Sequence, residues 1–414
     1  MSLLIHHIKE LIFTQEKPKA FYAGSEMSKI PSLKNAFLYI EKDKIIDYGN
    51  MEKLPSAYTN ASQQIDASNR LVFPSYCDSH THLVYPSSRE LEYVDKIKGL
   101  SYEEIAKRGG GILNSAKKMA ETDEAKLFDD ALERLEGIIR YGTGAVEIKS
   151  GYGLDTENEL KMLRVIKRLQ AHSPLTIKAT FLGAHAVPQK YKSNPSGYVD
   201  IVINEMIPQV AAADLADFID VFCDNGFFSV EDTDRILNAG MKYGLRAKIH
   251  ANELAFSGGI EVGVKYNALS VDHLEYTGDK EIELLKNTET MPTILPGAAF
   301  FLNMPYAPVR KMLDAGLPIA LASDYNPGSS PSGNMQLIQA MGSILYRMTP
   351  DEGIFATTIN SAYAMGLSDT HGSITRGKKA NVFLTKPMSG IEYMPYSYGD
   401  NKVETAILNG IIVH

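Results

Sequence analysis

Residues 71–82 read LVFPSYCDSHTH, a short apolar run that ends in His-Thr-His. Successive side chains of a β-strand point to opposite faces, so residues two apart share one face. His80 and His82 would therefore present two imidazoles to one metal ion, where a buried strand gives way to a loop. The pair alone is weak evidence, because two surface or capping histidines have the same spacing. Asp78 and Ser79 beside it can support bound ligands through hydrogen bonds.

Composition limits the class of protein. The chain has 414 residues, of which 44% are hydrophobic and 22% are charged, as in an ordinary soluble globular protein. This length accommodates one large barrel with an appendage, or two to three smaller domains. The net charge of -8 and the pI near 5.7 argue against a nucleic-acid partner and against an anionic membrane surface.

The sequence also bears on location. No run approaches the roughly 18 uninterrupted apolar residues of a membrane span. The stretch SLLIHHIKELIF is interrupted by histidine and charged residues and lacks the cleavage site of a signal peptide. Cys77 and Cys223 lie in apolar strand-like runs, where buried, inert thiols are expected rather than a disulfide. We therefore expect a cytoplasmic protein without a membrane partner.

Both ends of the chain have the pattern of short strands and turns. AFLYIEKDKIIDYG reads as a hairpin that turns between Glu41 and Lys44. Near the other end, NVFLT and VETAILNGIIVH alternate in the same way, and Asn409-Gly410 is a strong tight-turn signal. These patterns predict a small all-β domain, a discontinuous β-sandwich of residues 1–68 and 375–414. A catalytic body at residues 69–374 would lie between its halves.

Strand-like runs alternate with helical patterns between the two ends. Apolar residues at 3.6-residue spacing predict a helix from Leu127 to Ile139 that ends near Gly142, and Thr156 with Glu159 has the spacing of a capping box. Eight strand-like runs follow in order: the run ending at His82, GAVEIKS, LTIKATFLGAH, DFIDVFCDNG, RAKIHANE, ALSVDHLEY, PTILPG and LPIALASDYNPG. Eight such alternations predict an α/β fold, a (β/α)8 TIM barrel, whose active site lies at the carboxyl ends of the strands.

Polar side chains occur at the predicted carboxyl ends of most of these strands. They are His80 and His82 on the first, Lys149 on the second, His185 on the third, His250 on the fifth, His273 on the sixth and Asp324 on the eighth. A catalytic zinc or iron ion takes three or four N/O ligands and acidifies a water molecule at a further position. A carboxylate such as Asp324 can serve as ligand and as proton shuttle. The set indicates hydrolysis of a C–N bond or a similar polar bond.

The order of these residues resembles the amidohydrolase superfamily. Members that bridge two metal ions carry a modified lysine at the end of the fourth strand. FIDVFCDNG offers no lysine there, so the resemblance implies one metal ion, zinc or iron. Lys149 would then be a structural or outer cation. Within the superfamily the chain is similar to the imidazolonepropionase family along essentially its whole length. The matching stretches are DSHTHLVYPSSRELEY, GLSYEEIAKRGGGI, VEIKSGYGL, FLGAHAVP, KIHANE, SVDHLEYTG, ILPGAAFFL and ASDYNPGSSP.

The resemblance implies an activity and a role for each matching position. The activity is hydrolytic opening of the ring of 4-imidazolone-5-propanoate to N-formimidoyl-L-glutamate, in histidine degradation. The implied metal ligands are His80, His82, His250 and Asp324; the implied proton-transfer residues are Glu253, His273 and Asp324; and the implied substrate-binding residues are Arg89, Tyr152, His185, Glu253, Asn326, Gly328 and Ser329. Arg89 offers the planar fork that suits the propionate group. Backbone amides of the loop that follows Asp324 would hold another polar end of the substrate.

Several of these positions also have an ordinary structural reading. Arg89 could pair with a surface carboxylate, and Tyr152 could cap a glycine-rich loop. His185 could be a hydrogen-bonded core histidine, and Glu253 could begin a helix near its dipole. The resemblance leads us to expect an acidic residue at position 252, next to Glu253, but the chain has Asn252 there. The resemblance therefore predicts the metal ligands but not the hydrogen bonds that position 252 makes around them.

Other motifs are expected to lie outside the catalytic chemistry. The run Gly109-Gly110-Gly111 is not preceded by a strand or followed by Gly-Lys-Ser, so it is not a phosphate loop and is expected near the substrate entrance. The remaining histidines lie away from strand ends and are expected to have no part in the site; they are His6, His7, His172, His371 and His414.

Two rival functions share parts of this pattern. A cyclic-amidine or nucleobase deaminase with one metal ion would have the same ligands but no need of a carboxylate clamp such as Arg89. A catalytically inactive barrel kept as a scaffold would have lost one or more ligands, and none is missing. The favoured partner is a small-molecule substrate, and the family resemblance implies a homodimer.

Overall fold

Two eight-stranded sheets organise the chain in the computed structural model, which describes residues 2–100, 104 and 110–414. One sheet is a barrel of parallel strands. The other is a mixed sheet made from both ends of the chain. This arrangement confirms the predicted (β/α)8 barrel with a second β-structure, and each predicted barrel strand is found in its segment.

The barrel strands follow one another in chain order, and each pairs in parallel with the next. They are β6 (Tyr76–Asp78), β7 (Thr143–Lys149), β8 (Thr176–Ala184), β9 (Phe218–Cys223), β10 (Arg246–Ala251), β11 (Ser270–His273), β12 (Met291–Ile294) and β13 (Ala320–Leu321). Just beyond β6 and β13, the Asp324 amide donates to the His80 carbonyl and the His82 amide to the Tyr325 carbonyl, each at 3.0 Å. These bonds close the barrel beside the His-Thr-His segment.

The mixed sheet surrounds a separate apolar core. Its strands are β1 (Ser2–Ile12), β2 (Ser32–Glu41), β3 (Lys44–Asn50), β4 (Gln63–Asp66), β5 (Leu71–Pro74), β14 (Val382–Thr385), β15 (Val403–Leu408) and β16 (Ile411–Ile412). The hairpin of β2 and β3 and the Asn409-Gly410 turn between β15 and β16 form as predicted, and Asn409 has the positive φ that this turn requires. The domain boundaries at residues 68/69 and 374/375 stay a prediction.

Helices connect the strands. They are α1 (Glu90–Ile97), α2 (Ile112–Glu121), α3 (Glu124–Arg140), α4 (Thr156–His172), α5 (Pro195–Ile201), α6 (Ile207–Ala212), α7 (Val230–Lys242), α8 (Gly259–Lys265), α9 (Asp279–Leu285), α10 (Pro296–Leu302), α11 (Val309–Asp314), α12 (Met335–Tyr346), α13 (Pro350–Thr357), α14 (Ile359–Tyr363) and α15 (Tyr393–Tyr396). A π-helical turn, Val202–Met206, joins α5 to α6. No helix among the described residues is long and apolar enough to cross a membrane.

The predicted helix at residues 127–139 shows how sequence spacing sets packing. α3 buries six apolar side chains on one face, and burial of each large one contributes about 1.5–3 kcal/mol to folding. Two residues after the helix ends, Gly142 adopts a φ of 91°, which favours glycine. The predicted capping box of the next helix is wrong: Asp155 caps α4 by accepting from the Asn158 amide. Glu159 instead binds amides of the preceding loop.

The stretch at residues 71–82 is not a single strand, contrary to the expectation from its sequence. Leu71–Pro74 belongs to the mixed sheet, where it pairs with β1 and β14, whereas Tyr76–Asp78 pairs with β7 in the barrel. Ser75 lies between them. Both segments are fully buried, so an apolar run does not reveal which sheet its residues join. The stretch therefore links the two sheets directly ahead of the histidine pair.

Both cysteines are buried and unpaired, as predicted. Burial raises the pKa of Cys77 to about 12 and that of Cys223 to about 11. Because the thiolate is the reactive form, both residues act as inert apolar groups at neutral pH.

Candidate active site

Three buried histidines gather at the carboxyl ends of the barrel strands. The Nε2 atoms of His80 and His82 lie 3.3 Å apart, and those of His82 and His250 lie 3.4 Å apart. One ligand atom from each of the three side chains lies close enough to the other two for a single metal ion to bind all three. Two segments distant in sequence, the end of the first barrel strand and the end of the fifth, thus supply one cluster.

Asp324 adds a carboxylate to this cluster. Its Oδ1 atom lies 3.5 Å from His80 Nε2 and 3.6 Å from His82 Nε2. Tetrahedral ligands at bond lengths near 2.1 Å are about 3.4 Å from one another, so the spacing fits one four-coordinate ion. Burial raises the pKa of Asp324 to about 7, and a bound cation would favour its ionised form. The donor set fits zinc or iron equally well.

Two carboxylates fix the orientation of the imidazoles. Asp272 Oδ2 accepts a hydrogen bond from His80 Nδ1 at 2.7 Å, and Asp220 Oδ1 accepts one from His250 Nδ1 at 3.1 Å. Because these nitrogens carry the protons, the Nε2 lone pairs point into the cluster. Sequence reasoning missed both residues. The available signal was an aspartate inside each of the apolar runs FIDVFC and SVDH.

A buried network of charges lies behind these aspartates. Lys149 Nζ donates to Glu147 at 2.6 Å and to Asp220 at 2.8 Å, and lies 3.7 Å from Asp272. Lys248 donates to Glu147 and to the Ser79 carbonyl. Although burial opposes its charged form, the carboxylates of Asp220 and Glu147 raise the pKa of Lys149. Three carboxylates and two ammonium groups leave one net negative charge, which a cation at the histidine cluster would complement.

His273 stands beside the cluster and contacts two glutamates. Its ring centroid is 5.5 Å from that of His80, and its Nε2 atom is 3.5 Å from Glu253 Oε2. Burial, followed by the charge of Asp324, raises the pKa of Glu253 to about 8, so this carboxyl group can carry a proton at neutral pH. His273 Nδ1 and both carboxyl oxygens of Glu275 are buried, and none of these three atoms has a hydrogen-bond partner among the residues that the structure describes. Such groups mark a place where a ligand completes the hydrogen bonding.

Backbone strain concentrates at the same place. His273, Asp324 and Asn252 have φ values of 83°, 52° and 56°. Residues other than glycine seldom adopt positive φ values. Strain of this kind persists where the surrounding structure holds it and is frequent at active sites. The Asn252 side chain donates to the Tyr276 carbonyl and accepts from the Ser257 hydroxyl, so it supports the loop.

His185 and Tyr152 form an aromatic wall next to His82. The rings of His185 and His82 stack with centroids 5.1 Å apart, and the Tyr152 ring lies 5.5 Å from His185. His185 Nδ1 donates to the Gly151 carbonyl, and burial lowers the pKa of His185 to about 3, so the ring is neutral. Its Nε2 atom then remains an acceptor at neutral pH.

Glu159 fixes the loop that carries Tyr152. Its carboxylate accepts hydrogen bonds from the amides of Gly151, Gly153 and Leu154 at 2.7–3.0 Å. The residue expected to complete a helix cap therefore holds the wall of the site.

The loop after Asp324 is held by Asn326. Asn326 Oδ1 accepts from the amides of Gly328 and Ser329 at 2.7 and 2.8 Å, and its Nδ2 group donates to the Asp324 carbonyl. Ser329 Oγ lies 3.3 Å from Asp324 Oδ2. The expectation that these amides are free for a ligand is therefore wrong, because Asn326 already accepts from both. The Ser329 hydroxyl remains placed beside the carboxylate.

Arg89 reaches the same loop from the segment after the first barrel strand. Its Nε and Nη2 groups donate to Glu92 Oε2 at 2.8 and 2.5 Å, so this edge of the guanidinium is occupied. The Nη1 atom lies against Gly328, where a Cβ atom would collide with it. Glu92 also accepts from the Gly111 amide at 3.0 Å. Of the glycine run, Gly109 lies outside the described residues.

The structure thus brings the candidate residues to one end of the barrel. His172 lies on α4, His371 lies beside Thr176 at the start of β8, and His414 is the last residue of the sequence. His6 and His7 approach each other on β1, which the sequence did not suggest.

Comparisons with known proteins agree with this arrangement. Residues 97–393 match the amidohydrolase family. The imidazolonepropionase of Flavobacterium johnsoniae is 55% identical over 413 residues, with 100% of both chains covered. The guanine deaminase of E. coli superimposes over 100% of this chain and 99% of its own, with a TM-score of 0.75 and 13% identity. An adenosine deaminase from Xanthomonas campestris with bound zinc gives a TM-score of 0.70 at 14% identity, over 99% of this chain and 92% of its own.

The two solved structures share only the fold at such low identity, whereas the relative from Flavobacterium johnsoniae is similar over its full length. The family match covers the barrel strands from β7 onward, including His250 and Asp324. The chain belongs to the imidazolonepropionase family, within the amidohydrolases, and is a hydrolase of a cyclic C–N bond.

Proposed function

We propose that the protein hydrolyses 4-imidazolone-5-propanoate to N-formimidoyl-L-glutamate, with one zinc or iron ion per chain. The observation that carries this proposal is the placement of the Arg89 guanidinium at the loop of Gly328, next to the cluster of His80, His82 and Asp324. A substrate with a carboxylate at one end and a ring carbonyl at the other matches this combination of groups. The family membership supports the same reaction.

The reaction is the addition of water to the ring carbonyl carbon, followed by cleavage of the bond from that carbon to the ring nitrogen. The oxygen of water ends in the new carboxylate, and the released nitrogen gains a proton. When bound, the metal ion supplies Lewis acidity and lowers the pKa of water. His80, His82, His250 and Asp324 would hold it, with Asp272 and Asp220 keeping two of the rings in the correct tautomer.

Proton transfer falls to Asp324, His273 and Glu253. Asp324 would take a proton from the attacking water, and Glu253 can carry a proton because burial raises its pKa to about 8. His273 lies 3.5 Å from Glu253, so the two groups share one proton network. The proton for the departing nitrogen would come from this network.

Substrate orientation falls to Arg89 and the aromatic wall. Because Glu92 accepts from the Nε and Nη2 groups, the propionate would contact the Nη1 group. Tyr152 and His185 would pack along the ring, and the Ser329 hydroxyl would contact a polar group near Asp324. Glu92 would position Arg89 without contacting the substrate itself.

A deaminase is the rival function that shares the ligand set. The two deaminases compared are 13% and 14% identical to the chain, so their likeness supports the barrel and not their reactions. A neutral nucleobase needs no cation at the position of Arg89. From the sequence we also expect a cytoplasmic protein, and from the family resemblance a homodimer.

The direct test is incubation of metal-loaded protein with freshly generated 4-imidazolone-5-propanoate, while the ultraviolet absorbance of the substrate is followed. We expect loss of absorbance that a chelator abolishes, with N-formimidoyl-L-glutamate as the product. In Arg89→Ala, KM should rise by at least about tenfold with a smaller change in kcat. Lys96→Ala, on the helix that follows Arg89, is the matched control. Absence of turnover in protein that holds its metal would overturn the proposal.

A further inference from the structure

We propose that His6, His7 and Asp66 form a second metal site, on the surface of the mixed sheet, that binds a borderline divalent cation such as Cu²⁺ or Zn²⁺. His6 and His7 are adjacent in sequence, and Asp66 comes from another strand. The nitrogens of the two rings and the Asp66 carboxylate are near enough together for one ion to contact all three. The proposal does not depend on the catalytic chemistry.

A β-bulge makes the site possible. Neighbouring residues of a regular strand point to opposite faces. On β1, however, His6 and His7 together occupy the space opposite the single residue Phe37 of β2, because Ile5 pairs with Leu38 and Ile8 with Ala36. His7 has a φ of 51°, which turns its side chain to the side of His6. Their Nδ1 atoms consequently lie only 2.8 Å apart.

The neighbouring strand supplies the carboxylate. Asp66 is the register partner of His6 in the parallel pairing of β4 with β1, and the Ala67 amide donates to the His6 carbonyl. Asp66 Oδ1 accepts from the amide and the hydroxyl of Ser68, which fixes the group. The other oxygen, Oδ2, points to His7 Nδ1 at a distance of 3.8 Å.

The chemistry of the three side chains suits a metal ion better than the contacts they make now. The two Nδ1 atoms lie 2.8 Å apart, and a cation bound to both could replace the contact between them. Cis ligands at bond lengths near 2.0 Å lie about 2.8 Å apart, the edge of a square-planar or octahedral site. Two imidazoles and a carboxylate are ligands that Cu²⁺ binds most strongly among the first-row divalent ions.

The site would connect an otherwise weakly held strand. β4 is four residues long and pairs only with β1 among the described strands, at the point where β1 changes its neighbour from β4 to β5. A cation bound to His7 and Asp66 would tie β4 to β1. Binding to the folded state alone should therefore raise the thermal unfolding temperature.

The test uses tag-free protein that carries one equivalent of zinc in the catalytic cluster, so that neither a histidine tag nor that cluster competes for the probe and the surface site is left for Cu²⁺. Titration with Cu²⁺, followed by electron paramagnetic resonance, should show one tightly bound equivalent with nitrogen hyperfine structure from imidazole. His7→Ala should abolish this signal, and Asp66→Asn should weaken the affinity by about tenfold. His172→Ala replaces an exposed histidine on α4 whose Nδ1 atom bonds to the Arg168 carbonyl, and this control should retain the signal.

Further readouts keep the proposal open to refutation. The unfolding temperature should rise with Cu²⁺ in the wild type and in His172→Ala but not in His7→Ala. The activity of the zinc-loaded protein should be the same in all three. A Cu²⁺ signal that survives His7→Ala, or that appears only at millimolar Cu²⁺ in the wild type, would overturn the proposal.

Discussion

Two clusters of histidines on this chain differ in how they are supported. His80, His82 and His250 are buried, and carboxylates fix the rings of His80 and His250 with their Nε2 atoms facing inward. His6 and His7 are more exposed, and a bulge in one strand brings them together. Histidine thus occurs as a candidate metal ligand in the catalytic cluster, where hydrogen bonds orient the rings, and in the surface cluster of His6 and His7, where a β-bulge brings the rings together. The catalytic cluster is therefore distinguished by the buried charged residues that contact its histidines, more than by the histidines themselves.

The largest expected effect is on turnover. Asp324→Asn should lower kcat by about 10²–10⁴-fold, because the amide cannot accept the proton of water. Steady-state kinetics with measured metal content would check this. Asp66→Asn makes the same change at the surface cluster and should leave kcat unchanged. Near-normal turnover in metal-loaded Asp324→Asn would remove this residue from proton transfer.

The second prediction concerns the contribution of a buried cation to the free energy of unfolding. Lys149→Met should lower the free energy of unfolding by about 3–5 kcal/mol, because Glu147, Asp220 and Asp272 would lose a buried cation. Urea unfolding of the metal-free proteins would measure the change. Lys167→Met replaces an exposed lysine and should cost less than about 1 kcal/mol. If Lys149→Met lowered the free energy of unfolding as little as Lys167→Met does, the buried carboxylates would not depend on the charge of Lys149.

The third prediction addresses the outer carboxylates. Asp272→Asn should weaken metal affinity at the catalytic cluster by about 10–100-fold, since the amide no longer fixes the tautomer and raises the basicity of His80 less. Competition with a chelator of known affinity would measure it. Affinity equal to that of the wild type would show that burial alone orients the ring.

The smallest effect is expected at Glu92. Glu92→Gln should raise KM by about three- to tenfold with little change in kcat, because Arg89 keeps its charge but loses the partner that orients it. Glu90→Gln, on the exposed part of the same helix, should match the wild type. A fall in kcat with KM unchanged would contradict a positioning role.

The sequence predicted most of the site because the barrel places residues by their rank along the chain. Because His82 and His250 each follow or end a barrel strand at its carboxyl end, the closed barrel brings them together, although 168 positions separate them. Strand order is a property that hydrophobic alternation reveals. The expectation of a single metal ion came instead from the family resemblance, since the fourth strand ends without lysine.

Other features depended on local geometry that the sequence pattern does not encode. The split of residues 71–82 between two sheets follows from hydrogen-bond partners distant in the chain. Glu159 has the spacing of a helix cap but accepts from a loop, since Asp155 takes the cap position. The approach of His6 to His7 requires a positive φ at His7, which a residue of this type seldom adopts.

The most direct test of the central claim is a titration of metal-free protein with Zn²⁺ or Fe²⁺, in which activity towards 4-imidazolone-5-propanoate is measured at each step. We predict that activity rises from zero and reaches its maximum at one catalytic equivalent per chain, in the wild type and in His7→Ala alike. Activity in fully metal-free protein, or a maximum that requires two equivalents in His7→Ala, would contradict a single metal ion held by His80, His82, His250 and Asp324.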